Sequence, residues 1–124
     1  MKILRIDHLV ITTADLQRCL DFYVGLLGME HGMEQGHHSL QFGSCKLSIH
    51  TQLAQFKPAA LNPQMGSADF CLEVDDLQGL LARMSKHGYP VAEGPVTRHG
   101  AAGTMQSLYV YDPDGNLVEL SQYG

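Results

Sequence analysis

The sequence predicts an α+β fold of two βαβββ modules, each forming a curved mixed sheet, and three observations predict it. A strand-like segment is followed by an amphipathic helix and three short strands, and the same order restarts after a proline-containing break. Asp15-Leu16-Gln17 recurs as Asp76-Leu77-Gln78 at an offset of 61, which also places Leu20 over Leu81 and His8 over Asp69. With 124 residues, 44% of them hydrophobic, the chain fits a single domain over 1–124 that can bury a real core. Module one is expected at about 3–50, a linker at about 51–66 and module two at about 67–121.

Taken in order, Ile3 to Thr12 reads as a strand, with Leu9 and Ile11 on one face and His8 and Val10 on the other. ADLQRCLDFYVGLLG spaces Leu16, Leu20, Tyr23 and Leu27 as the stripe of a helix that starts with Asp15 in its first turn and ends at Gly28. From Met29 to His50, turn residues Gly32, Gly36, Gly43 and Ser44 cut the chain into an antiparallel meander ending in KLSIH. His37 and His38, beside Gly36, read as part of a solvated turn. Pro58 and Pro63 exclude a regular element from TQLAQFKPAALNPQMG.

The second module opens with the strand SADFCLEV and the helix DDLQGLLARMSKHG, with Leu77, Leu80, Leu81 and Met84 at core spacing and Gly88 closing it. A glycine-rich loop, GPVTRHGAAG, precedes the strand TMQSLYVY. Asp112-Pro113-Asp114-Gly115 then turns the chain into the last strand, NLVELS, because proline presets the first turn position and glycine accepts positive φ.

Composition excludes several function classes. A net charge of −5, with a pI near 5.7 and scattered basic residues, leaves no footprint for nucleic acid and none for an anionic membrane. Arg5, Asp7 and His8 interrupt the apolar run at the N-terminus, unlike a secretory signal, and no apolar stretch has membrane-spanning length. Cys19, Cys45 and Cys71 form neither a disulfide framework nor a paired zinc motif, so a reducing cytoplasm is the expected location, with Cys19 and Cys71 packing rather than reacting.

HLVITTADLQRCLDFYVGLLGME at the front and YVYDPDGNLVEL at the back, in that order around a repeated βαβββ unit, resemble the vicinal-oxygen-chelate superfamily of glyoxalases, bleomycin-resistance proteins and extradiol dioxygenases. The resemblance covers nearly the whole chain. It implies a cup-shaped sheet with metal ligands on the first and last strands of each module. His8 matches the first-strand ligand, and Glu119 matches the last-strand carboxylate. Asp69 stands where the family commonly has histidine. Ser48 falls on the fourth position, usually a carboxylate, and His50, two residues along the same strand face, stands as ligand, general base or polar neighbour. The implied cofactor is a divalent ion, Mn, Mg, Ni, Fe or Zn, with one imidazole and two carboxylates leaning toward Mn²⁺ or Mg²⁺.

The resemblance implies a small metalloenzyme similar to lactoylglutathione lyase, in which a cation polarises vicinal oxygens and stabilises an enediolate while Glu119 or His50 moves the proton. An epimerase, a ring-cleaving dioxygenase or a thiol transferase would leave much the same trace. The alternative from another class is a metal-free protein that sequesters a bulky small molecule, as bleomycin-resistance proteins do. Such a crevice is lined by aromatics, of which Phe42, Tyr109 and Tyr111 are available here. A homodimer with sites shared between chains is implied in either case. From the residues themselves, a carboxylate between Val118 and Leu120 needs a partner if it is buried. Arg98, in its glycine-rich surroundings, is a candidate for a substrate carboxylate or phosphate.

Overall fold

The computed structural model describes residues 1–124, which divide into two compact units, Met1–Met65 and Gly66–Gly124. In the first, β1 (His8–Thr12), α1 (Leu16–Leu20), β2 (Glu30–Glu34), β3 (His37–Phe42) and β4 (Cys45–His50) follow one another, and the sheet runs β1-β4-β3-β2. In the second, β5 (Asp69–Glu73), α2 (Leu77–Lys86), β6 (Glu93–Gly100), β7 (Gly103–Tyr111) and β8 (Leu117–Tyr123) give the order β5-β8-β7-β6. Each unit is therefore βαβββ with one parallel pair, as the sequence predicts. No helix or strand occurs in the segment that contains Pro58 and Pro63.

The two parallel pairs share one register. Val10 lies opposite Ser48 in β1·β4, and Cys71 lies opposite Glu119 in β5·β8. Cys71 is the residue that the 61-residue offset places over Val10, so the duplication extends to individual strand pairs. Alternation then sorts the side chains of each sheet into two faces. The core face of the first sheet carries Ile11, Leu40, Leu47 and Ile49, and that of the second carries Leu108, Val110, Val118 and Leu120, all buried. The other face of each sheet, here called the open face, carries the candidate site residues.

Both helices start on an aspartate cap rather than with the aspartate inside the first turn. Asp15 accepts from the Arg18 amide at 3.2 Å, and Asp76 accepts from the Gly79 amide at 2.9 Å.

Four local expectations are corrected. The first strand begins at His8, not Ile3, and Ile3, Leu4 and Ile6 are exposed. The first helix widens into a π-helical stretch over Asp21–Leu26, and its buried stripe is Cys19, Phe22, Tyr23 and Leu26 rather than Leu16, Leu20, Tyr23 and Leu27. His37 and His38 begin strand β3, because the turn closes one residue earlier on Gln35 and Gly36, both at positive φ. The predicted glycine-rich loop is instead strand β6, paired with β7 from Val96 to Gly100. Its alternation of Val96 and Arg98 against Thr97 and His99 is strand-like, and the three glycines masked it.

Candidate functional site

On the first sheet, His8, Val10 and Thr12 lie opposite Lys46, Ser48 and His50, so these residues share the open face. The His8 Nδ1 lies 2.9 Å from the Asp7 carboxylate, which fixes the ring and leaves Nε2 without a protein partner. That hydrogen bond, with help from Arg5 and Lys46, holds the Asp7 carboxyl below the usual range. His50 is half-buried, and its ring meets Phe56 edge-on at 5.2 Å while His37 stacks on the same phenyl group at 3.7 Å. Burial, and then the neighbouring His37, lower the His50 pKa, so the imidazole is unprotonated at neutral pH. This is the form that ligates a metal or accepts a proton. His38 does not face solvent alone either, since its Nδ1 lies 2.9 Å from Nε2 of His31.

On the second sheet Glu119 is half-buried on β8, flanked across the strands by Cys71 and Tyr109. The partner that a carboxylate there requires is Ser121, whose Oγ donates to Glu119 Oε2 at 3.1 Å. Ser121 also touches Ser107 Oγ at 2.6 Å and Cys71 Sγ at 3.2 Å. A hydroxyl has one proton, and that of Ser121 goes to Glu119, so Ser107 and Cys71 both donate to Ser121. The whole chain of donors runs toward the carboxylate. Burial, partly offset by the Ser121 bond, raises the Cys71 pKa, which keeps it a thiol. Cys71 stands beside Glu119 with its thiol partly enclosed but the residue still open to solvent, unlike the fully buried Cys19.

Asp69 lies opposite Leu117 at the start of β5, on the same face as Cys71 and Glu119 but one step further along the strand. Arg98 is held on β6: Nε donates to Tyr109 Oη at 3.0 Å, the guanidinium lies 5.5 Å from the centre of that ring, and Glu93 is 3.6 Å away. It is a fixed element of the sheet rather than the tip of a mobile loop.

Within each unit, no three His, Cys, Asp or Glu side chains gather as a metal-binding group. The donor chemistry nonetheless fits a divalent cation at the two matched positions. His8 presents a free Nε2 oriented by a carboxylate, and Glu119 presents a carboxylate with one oxygen engaged by Ser121 and the other open. The sequence analysis missed Asp7, Ser121, Ser107 and Cys71. Asp7 adjoins His8 in the chain, and alternation from Glu119 signals Ser121 two residues beyond; Cys71 and Ser107 become neighbours only through cross-strand pairing.

The chain is 43% identical over 126 residues to the glyoxalase domain-containing protein RDO1 of Mycosarcoma maydis, covering 99% of this chain and 70% of that protein. It is 41% identical to the virulence protein STM3117 of Salmonella typhimurium over 99% of this chain and 87% of that one. The crystal structure of that virulence protein superposes with a TM-score of 0.95 over 100% of both chains, at 40% identity. Two more distant structures show the fold alone. They are a lactoylglutathione lyase from Agrobacterium tumefaciens (TM-score 0.75, 21% identity, 98% of this chain and 95% of that one) and TnmS3, an antibiotic binding protein from Streptomyces sp. CB03234 (TM-score 0.75, 23% identity, 100% and 99%). The family model that matches residues 5–120 places this chain in the Glyoxalase/Bleomycin resistance protein/Dioxygenase superfamily, and it belongs to that family.

Proposed function

We propose that this protein is a small metal-dependent enzyme of the vicinal-oxygen-chelate type, related in chemistry to lactoylglutathione lyase. The observation that carries the reading is the oriented pair of donors. His8 is fixed by Asp7, and Glu119 lies at the end of a polarised serine chain, each at the position where the family resemblance puts a ligand. Asp69 and His50 are the remaining proposed ligands. A bound divalent ion would supply Lewis acidity toward two adjacent substrate oxygens. The protein's own part is to hold the donors, to orient the Glu119 carboxylate through Ser121, and to offer the unprotonated His50 imidazole as proton acceptor. Arg98 is proposed to bind substrate, though its bonds to Tyr109 and Glu93 must loosen for it to do so.

A homodimer with shared sites, working in the cytoplasm as a single domain over 1–124, completes the proposal. It is supported by the exposed Ile3, Leu4 and Ile6 leading into the edge strand β1. No helix is long and apolar enough to cross a membrane. The test is calorimetric titration of the purified protein with Mn²⁺, Ni²⁺, Zn²⁺ and Fe²⁺ beside a His8→Ala variant. Tight binding that the variant loses supports the chelate enzyme. If the wild type takes up no metal, the chelate reading fails, and a metal-free crevice that sequesters a small molecule replaces it.

A further inference from the structure

The open face of the first sheet holds a feature that the proposed metal chemistry does not use. Strands β2, β3 and β4 line a cavity of about 410 Å³, within the size range of small-molecule sites. Gly32, Ser39, Gln41, Lys46 and Ser48 contribute to its wall, with His37 and Glu34 toward the hairpin end. The space depends on Gly32, since a Cβ there would stand 2.8 Å from Ser39 Oγ and 3.1 Å from Gln41 Nε2. Met33 supplies the one large apolar side chain of the lining.

Lys46 is the only Lys or Arg in this wall. It forms neither an ion pair within 4.0 Å nor a side-chain hydrogen bond, and the acid it influences, Asp7, is already bonded to His8. Its cross-strand neighbours are Gln41 on one side and His8 on the other.

We propose that this cavity binds a small hydroxylated carboxylate, with Lys46 taking the carboxylate and Ser39, Ser48 and Gln41 taking the hydroxyls. One lysine matches a singly charged group. Glu34 at the hairpin end repels any anion, and a phosphate dianion, with twice the charge against a single lysine, suffers more from it than a carboxylate held at the Lys46 end. An aromatic ligand would find little apolar wall. That this ligand is the substrate rests on the proposed function, through the adjacency of Lys46 to His8; the cavity's preference for a carboxylate does not.

The experiment is calorimetric titration of EDTA-treated protein, and separately of protein with added Mn²⁺, using gluconate, its neutral counterpart glucitol, benzoate and inorganic phosphate. Gluconate is expected to bind best in both preparations. Lys46→Gln is expected to weaken it about tenfold or more, the loss of a charged hydrogen bond, while Lys86→Gln on α2 changes nothing. Ser39→Ala, which removes one hydroxyl contact and no charge, is the second variant and should weaken gluconate several-fold. The proposal is overturned if gluconate does not bind, if glucitol, benzoate or phosphate binds as well, or if Lys46→Gln binds gluconate like the wild type. Gluconate binding that persists without metal and in His8→Ala keeps the cavity proposal even where the chelate reading has failed.

Discussion

The two modules share a backbone plan and differ in what they display. Both helices begin on an aspartate cap, and both parallel pairs keep the same register, Val10 against Ser48 and Cys71 against Glu119. Yet the open face of module one offers imidazoles, hydroxyls and a lysine, whereas that of module two offers carboxylates, a thiol and an arginine. Strands β6 and β7 are eight and nine residues long against five and six for β2 and β3. Caps and core faces are held by packing and hydrogen bonds that tolerate little change. Most open-face residues lie outside the apolar core, although Met105, Ser107, Ser121 and Thr12 are buried there, so the rest are free to specialise. The duplication survives where capping and core packing constrain it and disappears on the open faces.

The turns that lead into the last strands sharpen the contrast, and the largest expected effect lies there. In module two the buried Asp112 carboxylate accepts from the amides of Asp114 and Asn116, both at 2.9 Å, and from Asn116 Nδ2 at 2.8 Å. Module one makes the corresponding connection with Gly43 and Ser44, using only the positive φ of Gly43. Asp112→Ala strands three donors and is expected to cost about 3 kcal/mol, lowering the melting midpoint by roughly 10 °C. Gly43→Ala should cost about 1 kcal/mol. Thermal unfolding of both variants checks this; an Asp112→Ala shift no larger than that of Gly43→Ala would remove the turn as the anchor of module two.

Three further variants probe the chemistry of the two open faces. Glu119→Gln is expected to weaken Mn²⁺ binding at least tenfold, and Ser121→Ala, which strips the hydroxyl that orients Glu119, about tenfold. Ser48→Glu restores a carboxylate at the matched position of module one and should strengthen Mn²⁺ binding. Calorimetry on the three variants decides it. If Glu119→Gln binds Mn²⁺ like the wild type, Glu119 is not a ligand, and if Ser48→Glu leaves the affinity unchanged, position 48 does not face the metal.

Much of this was legible in the sequence. The repeat of Asp15-Leu16-Gln17 as Asp76-Leu77-Gln78 and the Asp112-Pro113-Asp114-Gly115 turn specify the order of elements, because capping and turn chemistry are local. The alignment of Ser48 with Glu119 also holds in the strand register. Strand β6 was hidden because Gly94, Gly100 and Gly103 look like a loop, whereas pairing to β7 is a tertiary fact. The helical stripe shifted because nothing local signals a π-helical turn. Lys46 escaped notice for a similar reason. A lysine on a strand is ordinarily a solvated surface group, and its role emerges only when cross-strand register places it beside His8 and inside a cavity with Gly32.

The smallest expected effect comes from a pair of histidines that module one alone possesses. The His50 pKa lies below its ordinary 6.5, first through burial and second through His37, with which it shares the Phe56 ring. As pH falls through 6.5 the unfolded chain takes up a proton at His50 while the folded chain resists until its lower pKa is reached. His50 therefore costs nothing at pH 8, and it progressively destabilises the fold between 6.5 and the folded value, below which the loss is constant. Substituting His37→Gln removes the neighbouring charge but not the burial, so the His50 titration, followed by NMR, should move up only part of the way toward 6.5. In His50→Gln the stability slope across this window should flatten. A full return to 6.5 in His37→Gln would mean that charge rather than burial governs His50, reversing the order of causes that the structure gives.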